Sequence, residues 1–179
     1  MPEIEIRPVV SKDIPTLAEI EHQIQSNYVW QMDRVVTEGE INIHFREIRL
    51  PRAVRIDYPR PPRFLLDQWK LRTQILVATI ANAPVGYIAL SDQQAPFTAW
   101  VTDLAVGQEV RRKGIATALV MASQEWAIQR GLRRMILEMQ SKNHAAIRLA
   151  LKLSFEFGGY SDHYYSNQDI ALFFASYLR

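Results

Sequence analysis

The stretch Val101 to Leu119, VTDLAVGQEVRRKGIATAL, joins an apolar run ending at Val106 to a cationic turn, Arg111-Arg112-Lys113, that leads through Gly114-Ile115-Ala116-Thr117 into a helical pattern. Backbone N–H groups at a helix start lack intrahelical partners, and the helix dipole places positive potential there, so such a turn binds phosphate. Gly114 and Ala116 carry no side chain that would block approach, the three cations add charge, and Thr117 adds a hydroxyl donor. The turn is not a Walker loop, which needs Gly-x4-Gly-Lys-Ser/Thr, and it lacks the Gly-x-Gly-x-x-Gly dinucleotide fingerprint. Two readings stay open on these residues alone: a pyrophosphate site after a strand, or an ordinary cationic helix start.

Other chemistries are excluded by composition. The chain has 179 residues and no cysteine, so it has no disulfide framework, thiolate zinc site, thiol nucleophile or iron–sulfur cluster. His22, His44, His144 and His163 show no metal-ligand spacing, and no metal is expected. No apolar run approaches the roughly 20 residues needed to cross a bilayer. The start, MPEIEIRPVV, has acids where a signal peptide has a basic start and an apolar core, so a cytoplasmic protein is expected. The formal charge is +2, but Arg46 to Arg72 holds eight basic residues and three acids, leaving the remainder at −3. That segment reads as an anion or acidic-partner site, or as a solvated face; it has no interleaved nucleic-acid motif.

The elements that must position the turn follow from periodicity. Glu3 to Val9 alternates as a strand, and Ser11 precedes a short helix with Pro15 in its first turn and Leu17, Ile20 and Ile24 at helical spacing. Asn27 to Asp33 reads as an aromatic-rich break, followed by a second short helical stretch and then an extended segment from Glu47 to Asp57 around Pro51. Tyr58-Pro59-Arg60-Pro61-Pro62 is a loop or an edge. Ile75 to Ile80 and Val85 to Leu90 form a hairpin about the turn at Ala81 to Pro84, and Thr98 to Val106 is a further strand. A helix from about Gly114 to Arg130 presents Ile115, Leu119, Ala122 and Trp126 on one face, and Gly131 closes it. Arg134 to Met139 is a buried strand, Asn143 to Leu153 a helix, and Phe155 to Tyr160 and Ile170 to Leu178 end the chain as strands. This order argues for a mixed α/β fold in one domain, residues 1–179.

Arg111-x-x-Gly114-x-Ala116, after a strand and opening a helix, resembles the acetyl-coenzyme A signature of the GCN5-related N-acetyltransferases (GNAT). The agreement extends to Asp103-Leu104-x-Val106, Leu137-Glu138-x-Gln140, Asn143-x-x-Ala146 and the closing strand pair, covering nearly all of the chain from Gln74 onward. LEMQSKNHAA, Tyr165-Ser166 and IALFFASYL look most like the streptothricin-acetyltransferase branch, which acetylates an antibiotic amine. The resemblance implies a mostly antiparallel central sheet of about seven strands flanked by about four helices.

It also implies acetyl-CoA as co-substrate and direct transfer to a primary amine of a small molecule or protein; a homodimer is compatible with it, and from the composition and spacing above no metal, nucleic-acid or membrane partner is expected. The strand edge at Leu104, Ala105 and Val106 is expected to pair with the pantetheine amides, and the amides of Arg111, Arg112, Lys113, Gly114, Ile115, Ala116 and Thr117 to hold the pyrophosphate. Asn143, with Ala146, resembles the family's contact to the pantetheine arm, and Asn143 is equally an N-cap. Asp103 and Glu138 are the candidate bases or cation attractors, and a backbone N–H near Leu104 to Val106 the carbonyl polariser. The family's usual acid is a Tyr where this chain has Ala150. Tyr160, Tyr164 or Tyr165 could replace it, with Tyr165 the catalytic choice; water could also serve, or the protein could bind acetyl-CoA without efficient transfer. Tyr28, Trp30, Trp100 and Tyr164 are candidate aromatic walls of the acceptor site, or core and rim aromatics.

Overall fold

Near-continuous apolar runs, buried on both faces in the inner strands, build the sheet on which everything else rests. The computed structural model describes residues 3–179; Met1 and Pro2, which open the segment compared above with a signal peptide, lie outside the described residues. The elements are β1 (Ile4–Pro8), α1 (Ile14–Glu19), β2 (Ile24–Thr37), β3 (Glu40–Ile56), α2 (Arg63–Gln68), β4 (Gln74–Ile80), β5 (Ala83–Ser91), β6 (Thr98–Val106), α3 (Ile115–Gln129), β7 (Arg134–Gln140), α4 (His144–Lys152), β8 (Glu156–Ser161) and β9 (Ala171–Tyr177). Seven strands form one sheet in the order β1-β4-β5-β6-β7-β9-β8, antiparallel except for the parallel pair β6-β7. The expected mixed sheet with four α-helices is present. Ala81 and Asn82 both take positive φ, 49° and 65°, as a tight hairpin turn whose twist matches its strands requires.

The segment after α1 differs from the sequence reading. No second helix forms there: β2 and β3 pair as a long antiparallel ribbon, turning at Gly39 with φ 74°. The aromatic and β-branched residues assigned to a break, Tyr28, Val29 and Trp30, are strand formers, and Trp30 and Phe45 bury against the core. Pro51 is accommodated because the register shifts between Ser26 and Tyr28, so residues 50–53 lie in an irregularity outside the regular ladder.

One face of the sheet packs on α3 and α4 through Val101, Ile115, Leu119, Leu137, Ile147 and Phe174. The other packs on α1 and α2 through Leu17, Leu65, Val77, Tyr87 and Ala105. A bulge in β6 decides which side chains face which layer. The register steps from Leu90↔Val101 to Ala89↔Asp103, leaving Thr102 as an extra residue. Alternation therefore reverses: Leu104 and Val106 join Val101 on the α3/α4 face, while Ala105 joins the α1/α2 face. Asp103 turns with Ala105 toward α2, where Tyr58 meets it.

Candidate active site

The parallel pairing of β6 and β7 runs only from Thr98↔Arg134 to Val101↔Leu137. Beyond it the strands part, so the β7-facing edge of β6 through Leu104, Ala105 and Val106 has no strand partner. A cleft of about 520 Å3 opens at the split. Val101, Leu104, Leu137, Met139, Asn143, Ala146 and Leu149 line one side of it, and Tyr58, Arg60, Glu138 and Tyr165 the other. Asn143 caps α4, its Oδ1 accepting from the Ala146 N–H at 3.0 Å. Asn143→Ala should cost about 1 kcal/mol in thermal or denaturant unfolding, and Asn143→Asp should restore most of it. A KM for acetyl-CoA that stays raised in Asn143→Asp would assign the side-chain amide a contact beyond the cap.

The cationic turn lies between β6 and α3. Arg112 and Gly114 take positive φ, 66° and 84°, and a Cβ added at Gly114 would meet nothing within 4 Å, so an open backbone concavity precedes the helix. The amides of Ile115, Ala116 and Thr117 form its unpaired first turn. Arg111 has its side chain tied into the fold itself. Its Nε donates to the Val106 carbonyl at 2.9 Å and its Nη1 to the Gln23 carbonyl at 2.9 Å, while its N–H donates to Gln108. The Arg111 guanidinium ties the end of β6 to the segment before β2, and its charge is committed to carbonyls. Arg112 and Lys113 remain exposed.

The two carboxylates lie on the opposite face of the split. Asp103 accepts from Tyr58 Oη at 2.7 Å and Thr102 Oγ1 at 2.8 Å, and Arg72 Nη2 stands 3.6 Å away. The Glu138 carboxylate is fully buried and accepts from Trp100 Nε1 at 2.7 Å, Tyr164 Oη at 3.1 Å and Arg60 Nη2. Arg60 spans the pair: its Nη1 is 3.8 Å from Asp103 and donates to the Thr102 carbonyl at 2.7 Å. Burial opposes the charge of Arg60, but Asp103 and Glu138 outweigh it and raise the guanidinium pKa. Tyr165, 7% exposed, stacks beside Arg60 with 5.5 Å between the guanidinium and the ring centroid. Burial, reinforced by the Glu138 charge, pushes the Tyr165 hydroxyl well above its usual range. Asp169 fixes this tyrosine: its carbonyl accepts from the Tyr164 and Tyr165 amides, and its carboxylate is held by Gln140 and Lys142.

Behind Asp103, Tyr58 packs against His22 at 5.0 Å between ring centroids. His22 Nδ1 bonds the Ile20 carbonyl at 2.7 Å and so carries the proton, leaving Nε2, 3.0 Å from Tyr87 Oη, to accept from that hydroxyl. Burial lowers the His22 pKa below its ordinary value. With the folded pKa depressed, the unfolded chain binds more protons as pH falls from about 6.5 toward the folded value. Stability that is complete above the unfolded pKa is therefore lost on acidification. His22→Gln should show a flatter unfolding free energy between about pH 7 and pH 5 than the parent, measured by denaturant titration at each pH.

The structure thus brings Asp103, Glu138 and Tyr165 together with Asn143 and Ala146. Trp100 and Tyr164 adjoin the same site through Glu138. Tyr28 and Trp30 do not line either described cleft: Tyr28 stacks on His144 at 4.7 Å, and Trp30 packs on the core with its amide bonded to the Ser141 carbonyl. Their placement on β2 against α4 makes them the seat of the ribbon. Ala150 is fully buried in the core and is not among the residues that line the cleft, whereas Ala146 and Leu149 of the same helix are. Sequence reading missed Tyr58, Arg60, Arg72 and His22 as site neighbours; Arg60 and Arg72 belong to the basic segment noted above, and the three prolines around Arg60 were the signal of a fixed loop.

Residues 43–155 match the model of the acetyltransferase (GNAT) family. The chain belongs to that family. Streptothricin acetyltransferase A of Bacillus subtilis (strain 168) is 34% identical over 79 residues, 42% of this chain and 46% of that protein, so the match spans just under half the relative's length. Among solved structures, a nourseothricin acetyltransferase superposes with a TM-score of 0.82 at 20% identity, covering 98% of this chain and 99% of that one. A Bacillus anthracis protein described as a streptothricin acetyltransferase, in complex with acetyl coenzyme A, gives 0.75 at 19% identity over 99% and 98%. At these identities the superpositions establish the GNAT fold. Acetyl-CoA fits what the chain offers: a free strand edge for amide pairing, an open concavity of backbone amides for a pyrophosphate, and a cleft beside that edge lined by Glu138.

Proposed function

We propose that this GNAT protein is an acetyl-CoA-dependent N-acetyltransferase that moves the acetyl group directly to a primary amine in a ternary complex. The observation that carries this reading is the split between β6 and β7, a cleft lined by Leu104, Asn143 and Ala146 and by Glu138, to which Arg60 joins Asp103. The amides of Arg112 to Thr117 and the β6 edge would hold the co-substrate, which supplies an acyl carbon activated as a thioester. Asp103 and Glu138 attract the acceptor as its ammonium form and take its proton, directly or through water. The neutral amine then bonds to the acyl carbon, the carbon–sulfur bond breaks, and the Tyr165 hydroxyl donates the proton that the departing sulfur needs. A β6 backbone N–H near Leu104 polarises the acyl oxygen. The absence of cysteine excludes a cysteinyl acetyl-enzyme, in keeping with direct attack.

The test is acceptor-dependent release of free thiol from acetyl-CoA across a panel of primary amines that includes streptothricin, aminoglycosides and peptides. Saturable release without a burst supports the reading. Tight acetyl-CoA binding with no acceptor-dependent release would replace it with a non-catalytic acetyl-CoA-binding protein.

A further inference from the structure

A second, shallow cleft opens beside the first on the α2 face and meets it at Tyr58 and Arg60. Its wall is apolar, formed by Phe64, Leu65 and Trp69, and its inner end is charged: Asp103, Arg60 and Arg72. The charges are matched. Asp103 and Glu138 are balanced by Arg60 and Arg72 taken together, so the site as a whole presents no excess negative charge to an incoming polycation. Arg72 is the unspent group. Among the described residues its side chain makes no hydrogen bond; its nearest acid, Asp103 at 3.6 Å, already accepts from Tyr58 and Thr102. The Arg72 side chain is 27% exposed, and it lines the cleft. A guanidinium with free donors at the end of an apolar cleft matches a carboxylate, which it can hold through two parallel N–H···O bonds.

Resting on the acetyltransferase reading, we propose that the acceptor is a zwitterion: an amine carrying a carboxylate and an apolar or aromatic side chain, as in an α-amino acid. The amine faces Asp103 and Glu138, the carboxylate meets Arg72, and the apolar group lies against Phe64, Leu65 and Trp69. This gives a role to two cations of the Arg46 to Arg72 segment, whose local excess otherwise repels polycationic amines.

Two readouts test the proposal. With acetyl-CoA, kcat/KM is compared for L-phenylalanine, phenylalaninamide, phenethylamine and spermidine; with coenzyme A bound, the same four are titrated for equilibrium binding. L-Phenylalanine should exceed the amide and phenethylamine by about tenfold or more, the scale of one charge-assisted hydrogen bond, and spermidine should be poorer still. Arg72→Gln should bring the phenylalanine-to-amide ratio toward one, and Arg72→Lys should retain part of it, because a lysine keeps the charge without the fork. Equal binding of phenylalanine and phenethylamine, tighter binding of spermidine, or an unmoved ratio in Arg72→Gln would overturn the zwitterion proposal even with brisk thiol release. A binding preference for phenylalanine that depends on Arg72, with no thiol release, would uphold the zwitterion site and reject the transfer reaction.

Discussion

Glu138→Gln should lower kcat/KM for acetyl transfer by about 10² to 10⁴, the range over which general acid–base groups act. The substitution preserves shape, so its effect isolates charge and hydrogen bonding. The Glu138 carboxylate is wholly buried and accepts from three donors, Arg60, Trp100 and Tyr164. A glutamine offers one oxygen and one NH2. With the oxygen turned to Trp100 and Tyr164, the NH2 opposes Arg60, donor against donor; turned the other way, it opposes the indole and phenol instead. Either choice leaves the half-buried Arg60 guanidinium without its full counter-charge, and breaking a partly buried pair from one side costs stability as well as rate. The melting temperature should fall together with kcat/KM. Removing both charges, in Arg60→Met with Glu138→Gln, should recover stability without recovering turnover. Restored turnover in the double variant, or parental kcat/KM in Glu138→Gln, would remove Glu138 from the proposed proton pathway. The measurements are steady-state thiol release and thermal unfolding on the same preparations.

Tyr165→Phe should lower kcat by about 10² while leaving the KM for acetyl-CoA and the fold in place. The ring of Tyr165 is buried beside Arg60, and phenylalanine keeps that packing; only the hydroxyl is lost. Because burial holds this hydroxyl protonated well above the ordinary tyrosine value of about 10, it remains a proton donor throughout the alkaline range. The parent enzyme should therefore show no loss of kcat from this group as pH rises toward 10. In Tyr165→Phe the departing sulfur must be protonated by water, so the deficit should shrink with acyl donors whose leaving thiols are more acidic. A leaving-group dependence identical in parent and variant would assign the acid to Tyr164 or to water.

Both predictions concern residues whose types were legible in sequence but whose meeting was not. Asp103 and Glu138 stand on strands with recognisable apolar patterns, and Gly114 with Ala116 marks a helix start that no bulky side chain obstructs. A strict period of two, however, would have put Asp103 on the same face as Val101. The bulge at Thr102 turns it to the other face, and a bulge is a property of two paired strands that one strand's sequence does not display. The ribbon shows the same limit. Its aromatic and β-branched content suits a strand, but β2 becomes one by pairing with β3 and by seating Trp30 and Phe45 on the core. Arg111 illustrates the reverse case: correctly placed beside the turn, it spends its guanidinium on the carbonyls of Val106 and Gln23, the latter brought to it from far along the chain.

Local information, then, determined what is local: the helix and strand periods, the cationic turn before α3, the N-cap at Asn143, and the chemistry excluded by the lack of cysteine. These depend on neighbours within a few residues, where spacing is itself geometry. Only the tertiary structure decided that β6 and β7 separate after Val101 and Leu137, and that Arg60 lies between two carboxylates from different strands. It alone placed Tyr165, not position 150, in the cleft and left Arg72 with donors to spare. Each of these is an alignment of groups distant in sequence, fixed by sheet order, register and burial.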